Sequence, residues 1–219
     1  MNLTVAEENY IKAIFHLQQA EGNVSTNQLA ASLNTKPASV TDMLKRLTHK
    51  NLLNYEPYQG VTLSKDGKKQ ALTIVRKHRL WEFFLVDKLQ FGWDEVHEVA
   101  EELEHVRSKK LVDKLDAFLG HPKFDPHGDP IPDSNGIMAT IRQFNLIDIN
   151  PTAWVEVCSV GIQSAELLEL LRHKNIGIGT IFQVIRKFDF DHSIEISIKN
   201  SKSLNISQQL AQALFVKLV

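Results

Sequence analysis

The stretch from Ser25 to Lys50 constrains this chain most. Ser25-Thr26-Asn27-Gln28 has the form of a capping box, with Ser25 as N-cap and Gln28 three residues on, and it opens a short helix through Leu29, Ala30 and Leu33. Asn34 stops that helix and Thr35-Lys36-Pro37 turns the chain. A second helix follows over residues 38–50, with Val40, Met43, Leu44 and Leu47 on one side and Ser39, Thr41, Asp42, Lys45 and Arg46 outward. Two short helices joined by a tight turn make a helix-turn-helix. Before it, residues 5–19 read as an amphipathic helix ended by Gly22-Asn23. After it, residues 52–56 and 60–63 read as two strands around the turn Pro57-Tyr58-Gln59-Gly60, which is a β-wing.

Charge supports a winged helix that meets a polyanion. Residues 1–80 carry 11 Lys+Arg against 6 Asp+Glu, residues 81–136 carry 6 against 13, and the remainder carries 8 against 7. A basic module is thus joined to an acidic one, and their partners should differ in sign: nucleic acid for the first, cations for the second. Small polar groups at the start of the third helix suit base edges, and lysines around it suit phosphates. The candidate DNA contacts are Ser25, Thr26, Lys36, Ser39, Thr41, Asp42, Lys45, Arg46 and, in the wing turn, Tyr58.

The acidic module contains Val96-His97-Glu98-Val99-Ala100-Glu101-Glu102-Leu103-Glu104-His105. At about 100° per residue, His97, Glu101, Glu104 and His105 fall within roughly a quarter-turn of one helix, bordering the apolar stripe of Val96, Val99, Ala100 and Leu103. Imidazole with carboxylate suits Fe(II), Mn(II), Zn(II) or Co(II). The same pattern also fits a solvated acidic helix. A long helix from Ser64 or Lys65 to about Leu89 carries His78 and Glu82 one turn apart, as a second metal set with His97 or as a local hydrogen-bonded pair. The acidic helix is expected to run to about Leu119, and its apolar second half, Leu111, Val112, Leu115, Phe118 and Leu119, suggests a helical dimer interface.

The loop from Gly120 to Gly136 is rich in Pro and Gly. Beyond it, apolar and polar residues alternate over 154–160, 180–188 and 193–198, with short helices near 165–171 and 207–212, a pattern that fits a small β-barrel. It holds no Gly-rich phosphate loop or nucleophile elbow. The single cysteine, Cys158, excludes an internal disulfide and reads as a buried strand residue. No apolar run approaches the ~20 residues of a membrane span and the start lacks a basic and apolar leader, so a cytoplasmic protein is expected.

The order winged helix, His78-x-x-x-Glu82, His97-x-x-x-Glu101-x-x-Glu104-His105, then Pro126-His127-Gly128-Asp129-Pro130-Ile131-Pro132 resembles the iron- and manganese-dependent repressors of the diphtheria-toxin-repressor family. Arg76-Lys77-His78-Arg79-Leu80 and Glu104-His105-Val106 are close to the family's motifs, and the C-terminal region resembles the SH3-like, FeoA-type domain of its longer members. The resemblance implies an α+β fold with a winged helix-turn-helix over residues 1–65, a helical metal-binding and dimerisation domain over 66–136, a linker over 137–144 and the SH3-like β-barrel over 145–219.

By the same resemblance the protein is a homodimeric repressor, not an enzyme, activated by Mn(II) or Fe(II), with Zn(II), Co(II) or Ni(II) able to bind in vitro. It would bind a near-palindromic operator in double-stranded DNA and control metal uptake. The implied primary ligands are Asn9, Glu101, Glu104 and His105. Asn9 stands where relatives have Met or Asp, Glu101 is shared with the manganese-responsive branch where the iron-responsive one has Cys, and Lys12 replaces a carboxylate of the binuclear regulators. The implied ancillary ligands are His78, Glu82 and His97, with Gln163 nearest a barrel-domain ligand position and Ser159 beside it. The other histidines, His127 among them, match no ligand position. Two other readings stay open on residues alone: a winged-helix regulator sensing a small organic ligand, and a carboxylate metalloenzyme built on Glu102-x-x-His105.

Overall fold

The computed structural model describes residues 3–56, 60–162, 164–198 and 203–219. These divide into two compact units, one of Met1–His78, Glu101–Lys114 and Pro132–Ile137, the other of Arg79–Ala100, Leu115–Ile131 and Met138–Val219.

The first unit begins with α1 (Val5–Glu21), started by a Thr4–Glu7 capping box that the sequence reading did not single out. The Ser25–Gln28 box forms as expected and opens α2 (Thr26–Ser32). Pro37 takes the first helical position of α3 (Pro37–His49), where its missing N–H costs nothing. Ile11, Ile14 and Phe15 of α1 are buried with Leu29 of α2 and Val40, Leu44 and Leu47 of α3. Each such side chain contributes roughly 1.5–3 kcal/mol by leaving water. The wing strands β1 (Leu53–Glu56) and β2 (Gly60–Leu63) pair antiparallel, and Val61 exchanges both backbone hydrogen bonds with Val24. Ser64 caps α4 (Lys65–Leu89) through its hydroxyl, which accepts from the Gly67 N–H at 3.0 Å.

The acidic helix departs from expectation. It divides into α5 (Val96–Leu103) and α6 (Lys109–Phe118), with Glu104 and His105 in the turn between them. The signal overlooked is Ser108, whose hydroxyl accepts from the Leu111 N–H at 3.3 Å and starts a new helix. The single ligand face drawn from His97 through His105 therefore does not exist as one helical sector.

The second unit is built on a six-stranded antiparallel sheet in the order β3-β8-β4-β5-β6-β7. Strands β4 (Trp154–Val160), β5 (Ile181–Lys187) and β6 (Ile194–Ile198) lie where alternation predicts them. So do the helices α7 (Ala165–His173) and α8 (Gln208–Ala213). Three short strands, β3 (Phe144–Asn145), β7 (Ser203–Ile206) and β8 (Leu214–Leu218), were not foreseen. Register shifts between Val157 and Ser159 and between Val184 and Arg186 mark bulges that bend the sheet. Its buried face joins Val155, Val157, Phe182, Val184, Ile194 and Ile196 to Leu168 and Leu171 of α7. Cys158 is a buried strand residue, as read from the sequence.

Candidate metal centres and nucleic-acid interface

In the first unit, α1 and the turn after α5 bring ionisable groups together. Glu104 is fully buried. Its Oε2 lies 2.7 Å from His78 Nδ1 and 2.7 Å from Lys12 Nζ, which also reaches Glu101 Oε1 at 3.2 Å. Its Oε1 has no hydrogen-bond partner and lies 3.7 Å from His105 Nε2. His105 Nδ1 meets Glu8 Oε2 at 2.6 Å, and Lys77 Nζ is 3.9 Å from the same oxygen. Burial pushes the Glu104 carboxyl up, but the His78 hydrogen bond and the Lys12 charge outweigh it and hold the pKa below the usual glutamate range. Burial lowers the Lys77 ammonium, against the pull of Glu8 and Glu104.

These residues fit a first-row divalent ion. A buried carboxylate oxygen without a hydrogen bond is costly unless a cation takes it. Two metal–ligand bonds of ~2.1 Å span the gap between Glu104 Oε1 and His105 Nε2. A carboxylate on the far ring nitrogen, here Glu8, is the usual second partner of a metal-binding histidine. Asn9, half-buried on α1, neighbours Glu8; Glu8 and Lys77 were missed from sequence, although Glu8 and Lys12 at i,i+4 on α1 offered a signal.

The second unit holds another set. Glu82, Asp125 and His127, all buried, place one ligand atom each within 4.8 Å of one another. Glu82 Oε1 is 3.3 Å from His97 Nδ1 and 3.8 Å from His127 Nδ1. Asp125 Oδ2 and His127 Nδ1 have no hydrogen-bond partner. Burial, then the negative charges of Glu82 and Asp129, drive the Asp125 carboxyl well above its usual range in spite of Arg79. Arg79 Nε lies 3.4 Å from Asp125 Oδ2, and the remaining carboxylate and imidazole atoms, of Glu82, His97 and His127, are of the kinds that could hold a cation.

His127, read from the sequence as a surface, turn or packing residue, is fully buried, stacks on Trp93 and meets the Trp93 carbonyl through Nε2 at 2.8 Å, while its Nδ1 faces Glu82. Asp125 Oδ1 accepts from the His127 and Asp129 N–H groups at 2.8 and 2.9 Å, an Asx turn that aims both side chains inward. Gly128 has φ +87°, and a Cβ there would stand 1.8 Å from Cys158 O, so the loop lies directly on β4. The signal available was Asp-x-His-Gly-Asp inside a Pro-rich loop. Ser159 is engaged with Gln143, its hydroxyl 3.1 Å from Oε1. Gln163 lies outside the described residues.

Of the candidate DNA contacts, Lys36 at the N-cap of α3 and Ser39, Asp42, Lys45 and Arg46 along it are exposed. Thr41 is half-buried and donates its hydroxyl to Pro37 O at 3.0 Å, so its proton is spent inside the helix. Ser25 is held in its cap and Thr26 is half-buried at the start of α2. Tyr58 lies outside the described residues.

A winged helix-turn-helix in a chain with buried carboxylate–imidazole clusters defines a metal-responsive DNA-binding regulator. Three family models match in succession. They are the iron dependent repressor N-terminal DNA binding domain over residues 2–61, its metal binding and dimerisation domain over 64–133, and the FeoA domain over 144–218. An HTH-type transcriptional regulator of Methanocaldococcus jannaschii is 35% identical over 51% of this chain and 90% of its own length. The iron-dependent repressor IdeR of Mycobacterium leprae is 30% identical over 60% of this chain, and the match spans 57% of that relative's length. A solved manganese-dependent transcriptional repressor in complex with manganese is 30% identical, with a TM-score of 0.87 over 97% of this chain and 100% of that one. The chain belongs to the iron- and manganese-dependent transcriptional repressor family. No helix among the described residues is long and apolar enough to cross a membrane.

Proposed function

We propose that this protein is a cytoplasmic homodimer that binds a near-palindromic operator in double-stranded DNA when Mn(II) or Fe(II) is bound, and so represses metal uptake when the ion is plentiful. The observation that carries this reading is the pairing of a buried, unbonded Glu104 Oε1 with His105 Nε2 at 3.7 Å. Asn9, Glu101, Glu104 and His105 form the proposed primary centre. His78, Glu82 and His97 form the ancillary one, joined by Asp125 and His127, with Gln163 a further candidate. Residues 1–65 serve as the DNA-binding domain, 66–136 as the metal and dimerisation domain, and 145–219 as the SH3-like domain. DNA contact falls to Ser25, Thr26, Lys36, Ser39, Thr41, Asp42, Lys45, Arg46 and Tyr58, and dimerisation to the apolar face of α6, where Leu111 and Phe118 are exposed.

A bound ion supplies positive charge and fixed coordination directions at the primary centre. The protein's own part is mechanical. Asn9 and Glu8 ride on α1, which packs against α2 and α3, while Glu104 and His105 follow α5. Drawing these groups onto one centre fixes α1, and with it the recognition helix, so a pair of such helices keeps the spacing of successive major grooves. Glu101 supplies a hard oxygen donor, which favours Mn(II); affinity alone would rise toward Zn(II), Co(II) and Ni(II).

Titration of the full chain with Mn(II) tests the reading. Wild type is expected to take up the ion at the primary centre, and Glu104→Gln and His105→Ala to lose that uptake while remaining dimeric. Equal uptake by all three proteins would contradict it.

A further inference from the structure

We propose that the Glu7–Lys50 ion pair is the strut through which the primary centre fixes the recognition helix. The inference rests on the metal-switched reading above and names the contact that carries the switch. Glu7, at the third position of α1, is only 1% exposed. Its Oε2 accepts from the Thr4 N–H at 2.9 Å and closes the capping box, which holds the side chain in place. Its Oε1 lies 2.6 Å from Nζ of Lys50, the residue that ends α3. Glu8, about 100° further round the same turn, meets His105 Nδ1 at 2.6 Å. Consecutive residues of α1 thus tie that helix to the end of the recognition helix and to the proposed metal centre.

The nature of the contact points the same way. Ile11, Ile14 and Phe15 of α1 are buried with Val40, Leu44 and Leu47 of α3, and burial of this kind holds helices together without fixing direction. A short charge-assisted hydrogen bond at one end of α3 does fix direction, because the ammonium must follow the carboxylate. In a buried pair the cost of taking the carboxylate out of water offsets much of the attraction, so the distinctive effect of Glu7 and Lys50 is positional. An ordinary structural ion pair would have no bearing on how strongly metal and DNA are coupled, and this difference makes the inference testable.

The measurement is DNA affinity of the full chain, with Mn(II) and with chelator, on one duplex selected from a randomised pool by the Mn(II)-saturated wild type. Glu7→Gln, which can keep the Thr4 bond, and Lys50→Met should each cut the Mn(II)-induced gain in affinity by about tenfold and leave affinity in chelator unchanged. Lys50→Arg, which keeps the pair, should keep the gain. Lys50→Met also leaves a buried carboxylate unpaired and should lower the melting temperature. The double variant Glu7→Gln/Lys50→Met removes that penalty, so stability should recover while the gain stays low. Recovery of the gain together with stability would make the pair structural only and overturn the inference. An equal loss with Mn(II) and with chelator would make Lys50 a phosphate contact and overturn it too, as would an unchanged gain in both single variants. A wild type that binds DNA equally in the two conditions contradicts the metal-switched reading itself, and the inference with it.

Discussion

The Glu8 carboxylate holds His105 by Nδ1 at 2.6 Å. A carboxylate there keeps the ring proton on Nδ1 and leaves the Nε2 lone pair for a metal, facing Glu104 Oε1. Under the proposed metal reading, Glu8 serves as a positioning residue for His105. Glu8→Gln should weaken Mn(II) binding by about 10- to 100-fold with little change in fold, the range found for outer partners of metal-binding histidines. Isothermal titration in buffered Mn(II) reads this directly, and an unchanged affinity would remove Glu8 from the site.

Glu104 carries a pH prediction. Burial works to raise its pKa, while the His78 hydrogen bond and Lys12 more than offset this, so the folded value lies below the ordinary one. A group with a depressed folded pKa stabilises the fold above its unfolded pKa and loses that contribution as pH falls through the folded value. Glu104→Gln should therefore flatten the loss of stability below about pH 4.3. At neutral pH it should cost no more than about 3 kcal/mol, because Lys12 keeps Glu101. Urea unfolding midpoints from pH 7 down to the acid limb check both statements.

Asp125 behaves in the opposite sense. Its carboxyl is raised by burial, then by Glu82 and Asp129, so its ionisation destabilises the fold as pH climbs from the unfolded value to the folded one. Asp125→Asn can keep the Oδ1 bonds to His127 and Asp129 and should hold or raise the melting temperature in chelator at neutral pH. Saturating Mn(II) should stabilise this variant less than wild type. An equal metal-induced rise in both would separate Asp125 from the second cluster.

At the recognition helix, two substitutions should leave different signatures. Lys45→Ala should weaken binding to every sequence and reduce the salt slope by about one unit. Ser39→Ala should alter base preference with little change in that slope. Thr41 should matter less for base choice than spacing suggests, because its hydroxyl is committed to Pro37 O. Competition binding against a randomised operator pool measures all three.

The winged helix was legible because its signals are local: the Ser25–Gln28 box and Pro37 act within one turn of themselves, and the structure places them as read. The candidate primary ligands could be named from the sequence as residue types, but the face they were drawn on does not form. Uniform helical phasing ran through residues 104–108, where Ser108 starts a new helix and leaves Glu104 and His105 in a turn. Strands β7 and β8 escaped for a different reason. Ser203–Ile206 is too short to show alternation, and Leu214–Leu218 follows α8 directly without a turn residue to announce it. The approach of His127 to Glu82, some 45 residues away in sequence, was not legible because no local pattern encodes it.

Metal-switched DNA binding can be read by fluorescence anisotropy with one fixed operator duplex. The same dimer is measured at constant salt with saturating Mn(II) and with chelator. Operator affinity should be at least ~100-fold higher with Mn(II), and by linkage Mn(II) affinity should rise by an equal factor when operator is present. Equal operator affinity in both conditions would contradict metal switching.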